Sequence, residues 1–116
     1  NDLGPQGAAA LAQGLKGNST LQSLDLTMNE LCGLDQWGNG IYKAEGITKL
    51  CEGLKGSAVT SLNLGSNNLT DYGENLSGLL KLAEVLPQTK IESLGLEGNG
   101  IGAEGASALA AILNET

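Results

Sequence analysis

Leu21-Gln22-Ser23-Leu24-Asp25-Leu26-Thr27-Met28-Asn29-Glu30-Leu31 decides how this chain folds, because the same eleven-residue pattern returns twice without a gap. Val59 to Leu69 and Ile91 to Ile101 superimpose on it, and all three fit L-x-x-L-x-L-x-x-N-x-L with an aliphatic residue at either end. Asn1-Asp2-Leu3 reads as the tail of a fourth copy. Behind each copy runs a second block, G-x-x-x-L-x-x-x-L: Gly7/Leu11/Leu15, Gly46/Leu50/Leu54, Gly78/Leu82/Leu86 and Gly105/Leu109/Leu113. Leu-x-Leu alternation is the inward face of a short strand, whereas leucines four apart among Ala, Lys, Glu and Gln form the inner stripe of an amphipathic helix.

A single strand–helix unit cannot bury its own apolar face, so the units are expected to stack. Leu24, Leu26 and Leu31 then pack on Leu62, Leu64 and Leu69, and those on Leu94, Leu96 and Ile101. The composition agrees: 18 Gly, no Phe and only Trp37, Tyr42 and Tyr72 as aromatics suit a regular aliphatic lattice. Asn29, Asn67 and Asn99 sit where the chain leaves each strand, and an amide side chain can satisfy the backbone groups of a buried turn. They read as a structural asparagine ladder. The asparagine spacings are 28 (from Asn1), 38 and 32, the longer two because residues 32–45 and 70–77 are inserted between strand and helix.

These blocks resemble the leucine-rich repeat family, and within it the long, helix-containing subtype of ribonuclease inhibitor and the sensor domains of NOD-like receptors. The resemblance covers essentially the whole chain. It implies an α/β fold, a right-handed solenoid or horseshoe with short parallel strands on the concave side and helices on the convex side. The expected organisation is one segment, 1–116, with repeats at about 1–20 (partial), 21–58, 59–90 and 91–116. Both ends read as cut, as in a piece of a longer array. The edge strands at Ser23–Leu26 and Ser93–Leu96 leave end-to-end self-association open.

Charge and chemistry narrow the function. Thirteen Asp and Glu against six Lys, with no Arg and no His, give a net charge of −7. That leaves no footprint for nucleic acid or anionic lipid, no imidazole metal site and no His-dependent catalysis. No apolar run is long enough to span a bilayer, and the chain reads as soluble. Gly100-Ile101-Gly102-Ala103-Glu104-Gly105 matches the dinucleotide fingerprint G-x-G-x-x-G, but the repeat already accounts for Ile101 and Gly105, and the sequence stops short of the position about 20 residues on where an acidic ribose partner would stand. No cofactor is expected. Cys32 and Cys51 are either free thiols or one disulfide. Intracellular members of the resembled subtype imply free thiols and a cytoplasmic setting. N-x-S/T triplets at Asn18, Asn68, Asn75 and Asn114 support the alternative, an extracellular glycosylated recognition domain.

The expected activity is recognition of a protein or peptide, not turnover. Alternation places Ser23, Asp25 and Thr27, then Ser61, Asn63 and Gly65, then Ser93, Gly95 and Glu97 on the outward sheet face. Asp25, Thr27, Asn63 and Glu97 are the partner-binding candidates there. Trp37, Tyr42 and Tyr72 lie in the insertions, which follow the same strand end in successive repeats. They form either an aromatic binding rim or, with Leu34 and Ile41, a cover over the solenoid edge. By resemblance the parent could be an immune receptor, a GTPase-linked repeat protein or an inhibitor. A Ran-type GTPase activator would use an arginine-bearing surface, which this chain lacks.

Overall fold

A computed structural model describes residues 3–16, 18–34, 39–71, 75–102 and 105–107. Helices and strands alternate: α1 (Gly4–Leu15), β1 (Ser23–Asp25), α2 (Glu45–Leu54), β2 (Ser61–Asn63), α3 (Ser77–Val85), a 3-10 turn (Leu86–Gln88) and β3 (Ser93–Gly95). The strands form one parallel sheet in the order β1-β2-β3. Ser23, Ser61 and Ser93 stand in register, as do Leu24, Leu62 and Leu94, so the ungapped copies in the sequence are ungapped neighbours in space. The chain is therefore an α/β protein built on a small parallel sheet. Among the described residues no helix is long and apolar enough to cross a membrane.

The core lies between sheet and helices. Leu62, Leu64 and Leu69 of the middle repeat are fully buried with Ile47, Leu50 and Leu54 of α2 and Leu82 of α3. Burying each such side chain is worth about 1.5–3 kcal/mol. Leu24 and Leu94, on the outer strands of the described sheet, are only half-buried.

Each helix also reflects its sequence. Pro5 pre-sets the first turn of α1, and Ala8 to Ala10 favour its continuation. Glu45 places a carboxylate at the N-terminus of α2, where the helix dipole favours it. Two glycines of α2, the block glycine Gly46 and Gly53, let it approach α1 closely. A Cβ on Gly46 would stand 2.5 Å from the Cα and carbonyl oxygen of Pro5, and one on Gly53 2.7 Å from the carbonyl oxygen of Ala12. Leu86, expected as the last residue of the inner stripe of α3, instead opens the 3-10 turn. Pro87 cannot supply the N–H that would continue the α-helical ladder, so the α-helix ends at Val85 and the chain tightens into the 3-10 turn while Leu86 keeps right-handed helical backbone.

The turns after the strands are held by asparagine side chains across repeats. Asn67 Oδ1 accepts from the backbone N–H of Asn29 at 2.9 Å and of Leu31 at 3.3 Å. Asn67 Nδ2 donates to the carbonyls of Leu26, Leu64 and Gly65 at 2.9–3.1 Å. Asn99 does the same one repeat on, accepting from Asn67 and Leu69 N–H and donating to Leu64 and Leu96. Each side chain thus serves its own turn and the turn of the repeat before it. The residues flanking each asparagine, Met28 and Glu30, Ser66 and Asn68, Gly98 and Gly100, all have positive φ between 50° and 73°. Only the third copy uses glycine at both.

Candidate functional site

The outer sheet face carries polar side chains that stand outside the core. Ser23, Asp25, Asn63, Ser93 and Glu97 are exposed, and Thr27 is half-buried. Strand register sets Asp25, Asn63 and Gly95 in one row. The bonds from Met28 N–H to Gly65 and from Ser66 N–H to Glu97, 3.0 and 2.7 Å, continue the ladder and set Thr27, Gly65 and Glu97 in the next row. Gly65, expected on the outward face, is buried: it is wedged between Asn63 Oδ1 and the Glu97 carbonyl and has no side chain to raise it.

Local turns fix two of the candidate side chains. Asp25 Oδ1 accepts from the Thr27 hydroxyl at 2.6 Å and its N–H at 3.0 Å. The hydroxyl first, then the N–H, holds the Asp25 carboxyl below its ordinary pKa. Asn63 repeats the turn, its Oδ1 accepting from Gly65 N–H at 2.9 Å. Its Nδ2 makes no hydrogen bond among the described residues, and neither does the Glu97 carboxylate. A hollow of about 150 Å³ lies between Thr27, Asn63, Gly65, Ser66, Gly95 and Glu97, with the Asn63 amide lying over Gly95, its Oδ1 2.7 Å from where a Cβ there would stand. The alternation identified Thr27, Asn63 and Glu97. The part played by Ser66 and by the two glycines shows only when the repeats stand side by side.

The insertions are placed in part. Trp37 and Tyr72 lie outside the described residues. Tyr42 is half-buried against the core, and its hydroxyl donates to the Leu69 carbonyl at 2.5 Å. Leu34 is 3 % exposed, whereas Ile41 is 74 % exposed and covers nothing. Lys43 N–H returns to the Cys32 carbonyl at 2.8 Å, and Leu34 pairs with Gly40 in an antiparallel bridge, so the first insertion closes on itself beside the next repeat.

Neither thiol is poised for chemistry. Cys32 and Cys51 are both fully buried and unbridged. Burial pushes the Cys32 thiol up to about 11 and the Cys51 thiol up to about 12. Burial also raises the Tyr42 phenol to about 12. A nucleophilic cysteine needs a lowered value. The described residues hold no group of three or more His, Cys, Asp or Glu side chains suited to a metal ion. Of the N-x-S/T triplets, Asn18 and Asn75 occupy turns in which their Oδ1 accepts from the following Thr20 or Ser77. The third places the Thr70 hydroxyl in the core, against the Asn99 and Gly100 carbonyls. Asn114 lies outside the described residues, as do Ala103 and Glu104 of the glycine motif.

Alternating strands and helices, turns held by asparagine side chains and a polar, exposed sheet face define a repeat protein. A leucine-rich repeat family model matches residues 17–31, 58–73 and 88–110, which supports the leucine-rich repeat family. The matched stretches contain all three strand blocks. No curated protein and no solved structure matches the chain.

Proposed function

We propose that the chain is a protein-interaction segment that binds a macromolecular partner through its outer sheet face. The observation that carries this reading is the division of labour across the sheet: aliphatic side chains fill the inner face, while Asp25, Asn63 and Glu97 stand exposed on the outer one. Repeats of this family suggest such a module. In the proposed arrangement the three repeats belong to a longer right-handed solenoid of the ribonuclease-inhibitor or NOD-like type. Residues 21–58, 59–90 and 91–116 are successive units there, and the outer face is its concave side. Tyr42 ties the first insertion to the Leu69 carbonyl of the next repeat, and Trp37 and Tyr72 of the insertions are the further aromatic candidates for partner contact. The free thiols fit a cytoplasmic setting, and an extracellular one would show as glycans on Asn18 or Asn75.

The test is capture of binding proteins from the source organism by the wild-type chain, by an Asp25→Lys/Glu97→Lys form and by a Trp37→Ala/Tyr72→Ala form. Loss of a partner in the face variant, at unchanged melting temperature, is the expected result. Equal capture by wild type and the face variant, with loss only in the aromatic one, would move the site to the rim.

A further inference from the structure

The hollow at Gly65 and Gly95 is more specific than the face around it. Lysine is absent from all nine outward positions of the three strand blocks. On the other side of the molecule, Lys49, Lys55 and Lys81 are engaged by Glu45, Glu52 and Glu84 on the helices. The positive charge of the described ion pairs therefore sits on the helix layer, and the sheet face keeps the carboxylates of Asp25 and Glu97 without a cation. Two residues that line the hollow carry a group with no protein partner among the described residues: Glu97 its carboxylate, an acceptor, and Asn63 its Nδ2, a donor. Asn63 Oδ1 is committed to Gly65 N–H, which fixes the amide orientation so that Nδ2 is the free end.

We propose that this hollow is a subsite for one lysine or arginine side chain of a basic polypeptide segment, the cationic end pairing with Glu97 and a backbone carbonyl of the segment accepting from Asn63 Nδ2. The proposal rests on the face-binding reading above and deepens it. Each part has a physical reason. Gly95 makes room for the Asn63 amide, which a Cβ there would meet at 2.7 Å, the carboxylate supplies the countercharge, and the fixed amide demands an acceptor on the incoming chain. An apolar or acidic side chain meets neither requirement. A free Nα-acetyl-lysine amide carries both groups and is the minimal probe.

The experiment is a selection of displayed random peptides on the whole chain, with the selected peptides and Nα-acetyl-lysine amide then titrated while backbone amide shifts are followed. Three chains are compared: wild type, Glu97→Gln and Asn63→Asp. The aspartate variant keeps the Oδ1 acceptor for Gly65, as Asp25 does in the neighbouring repeat, but loses the Nδ2 donor and gains a charge. The proposal expects Lys- or Arg-containing peptides to be enriched and to shift Gly65, Ser66, Gly95 and Glu97. It expects binding weakened up to about fivefold by Glu97→Gln, the scale of one exposed ion pair. Nα-acetyl-norleucine amide, without the charge, should shift none of these. Peptides that shift the face but lack basic residues, or that bind Glu97→Gln as well as wild type, would overturn the subsite and leave the face reading standing. Peptides that shift only the helix layer, or no enrichment at all, would overturn both.

Discussion

At the residue scale, asparagines of one residue type do two different kinds of work, and the difference is burial. Asn67 is 1 % exposed and joins five backbone groups from two repeats. Replacing it with alanine leaves buried N–H and carbonyl groups without partners. Asn67→Ala is expected to destabilise the fold by about 3 kcal/mol, read as a fall in the denaturation midpoint. Asn63→Ala, on the exposed face, should cost less than about 1 kcal/mol. A ladder position as tolerant as the face position would contradict the roles assigned to both. The positions of the asparagines were legible in the sequence as a spacing. That each serves the preceding repeat was not, because it depends on which way the stack advances. The left-handed residues beside them were hidden as well: Met28-Asn29-Glu30 and Ser66-Asn67-Asn68 look unremarkable until aligned with Gly98-Asn99-Gly100.

At the scale of elements, the helix layer is set by where a Cβ fits. A methyl group at Gly53 would meet the α1 backbone at Ala12, which cannot step aside, whereas nothing lies within 4 Å of a Cβ at Gly14 on the same helix pair. Gly53→Ala should therefore cost about 1–3 kcal/mol. Gly14→Ala, an exposed helical glycine, should stabilise by about 0.5–1 kcal/mol. Thermal melts of the two variants should move in opposite directions. The first insertion offers a third test. Tyr42→Phe removes the bond to the Leu69 carbonyl while keeping the ring, and should cost about 1 kcal/mol. The elements themselves were readable because period-two and period-four leucines separate cleanly. The end of α3 was the exception, where the leucine stripe ran on to Leu86 but Pro87 stopped the helix.

At the scale of the whole molecule, charge and titration shape when the fold survives. The thiols of Cys32 and Cys51 have values raised from 9.0 to about 11 and about 12, and the Tyr42 phenol one raised from 10.0 to about 12. Above pH 9 the unfolded chain releases protons that the folded chain retains. The stability these groups contribute is complete below pH 9 and is lost as pH rises through 11 to 12. Alkaline unfolding should therefore begin above pH 9, and Cys32→Ala/Cys51→Ala should flatten that limb while lowering stability at neutral pH through the cavities left. At the acid end the Glu52 carboxyl, lowered chiefly by its hydrogen bond from Lys81, contributes stability above its unfolded value of 4.5 that is lost as pH falls through the lower folded value. The parallel sheet, its register and the helix alternation could be read directly from three aligned copies. The hollow could not, since Thr27, Asn63, Gly65, Ser66, Gly95 and Glu97, which bound it, come from three repeats and meet only in the stack.

The central claim, that the outer sheet face is the surface presented to a partner, is tested most directly by site-specific photocrosslinking in lysate of the source organism. A photoreactive residue is placed at Asn63 in one chain and at Lys49, exposed on α2, in another. Partner adducts from position 63 and none from position 49 are the predicted result. Adducts from position 49 with none from position 63 would place the interaction on the helix layer and contradict the account.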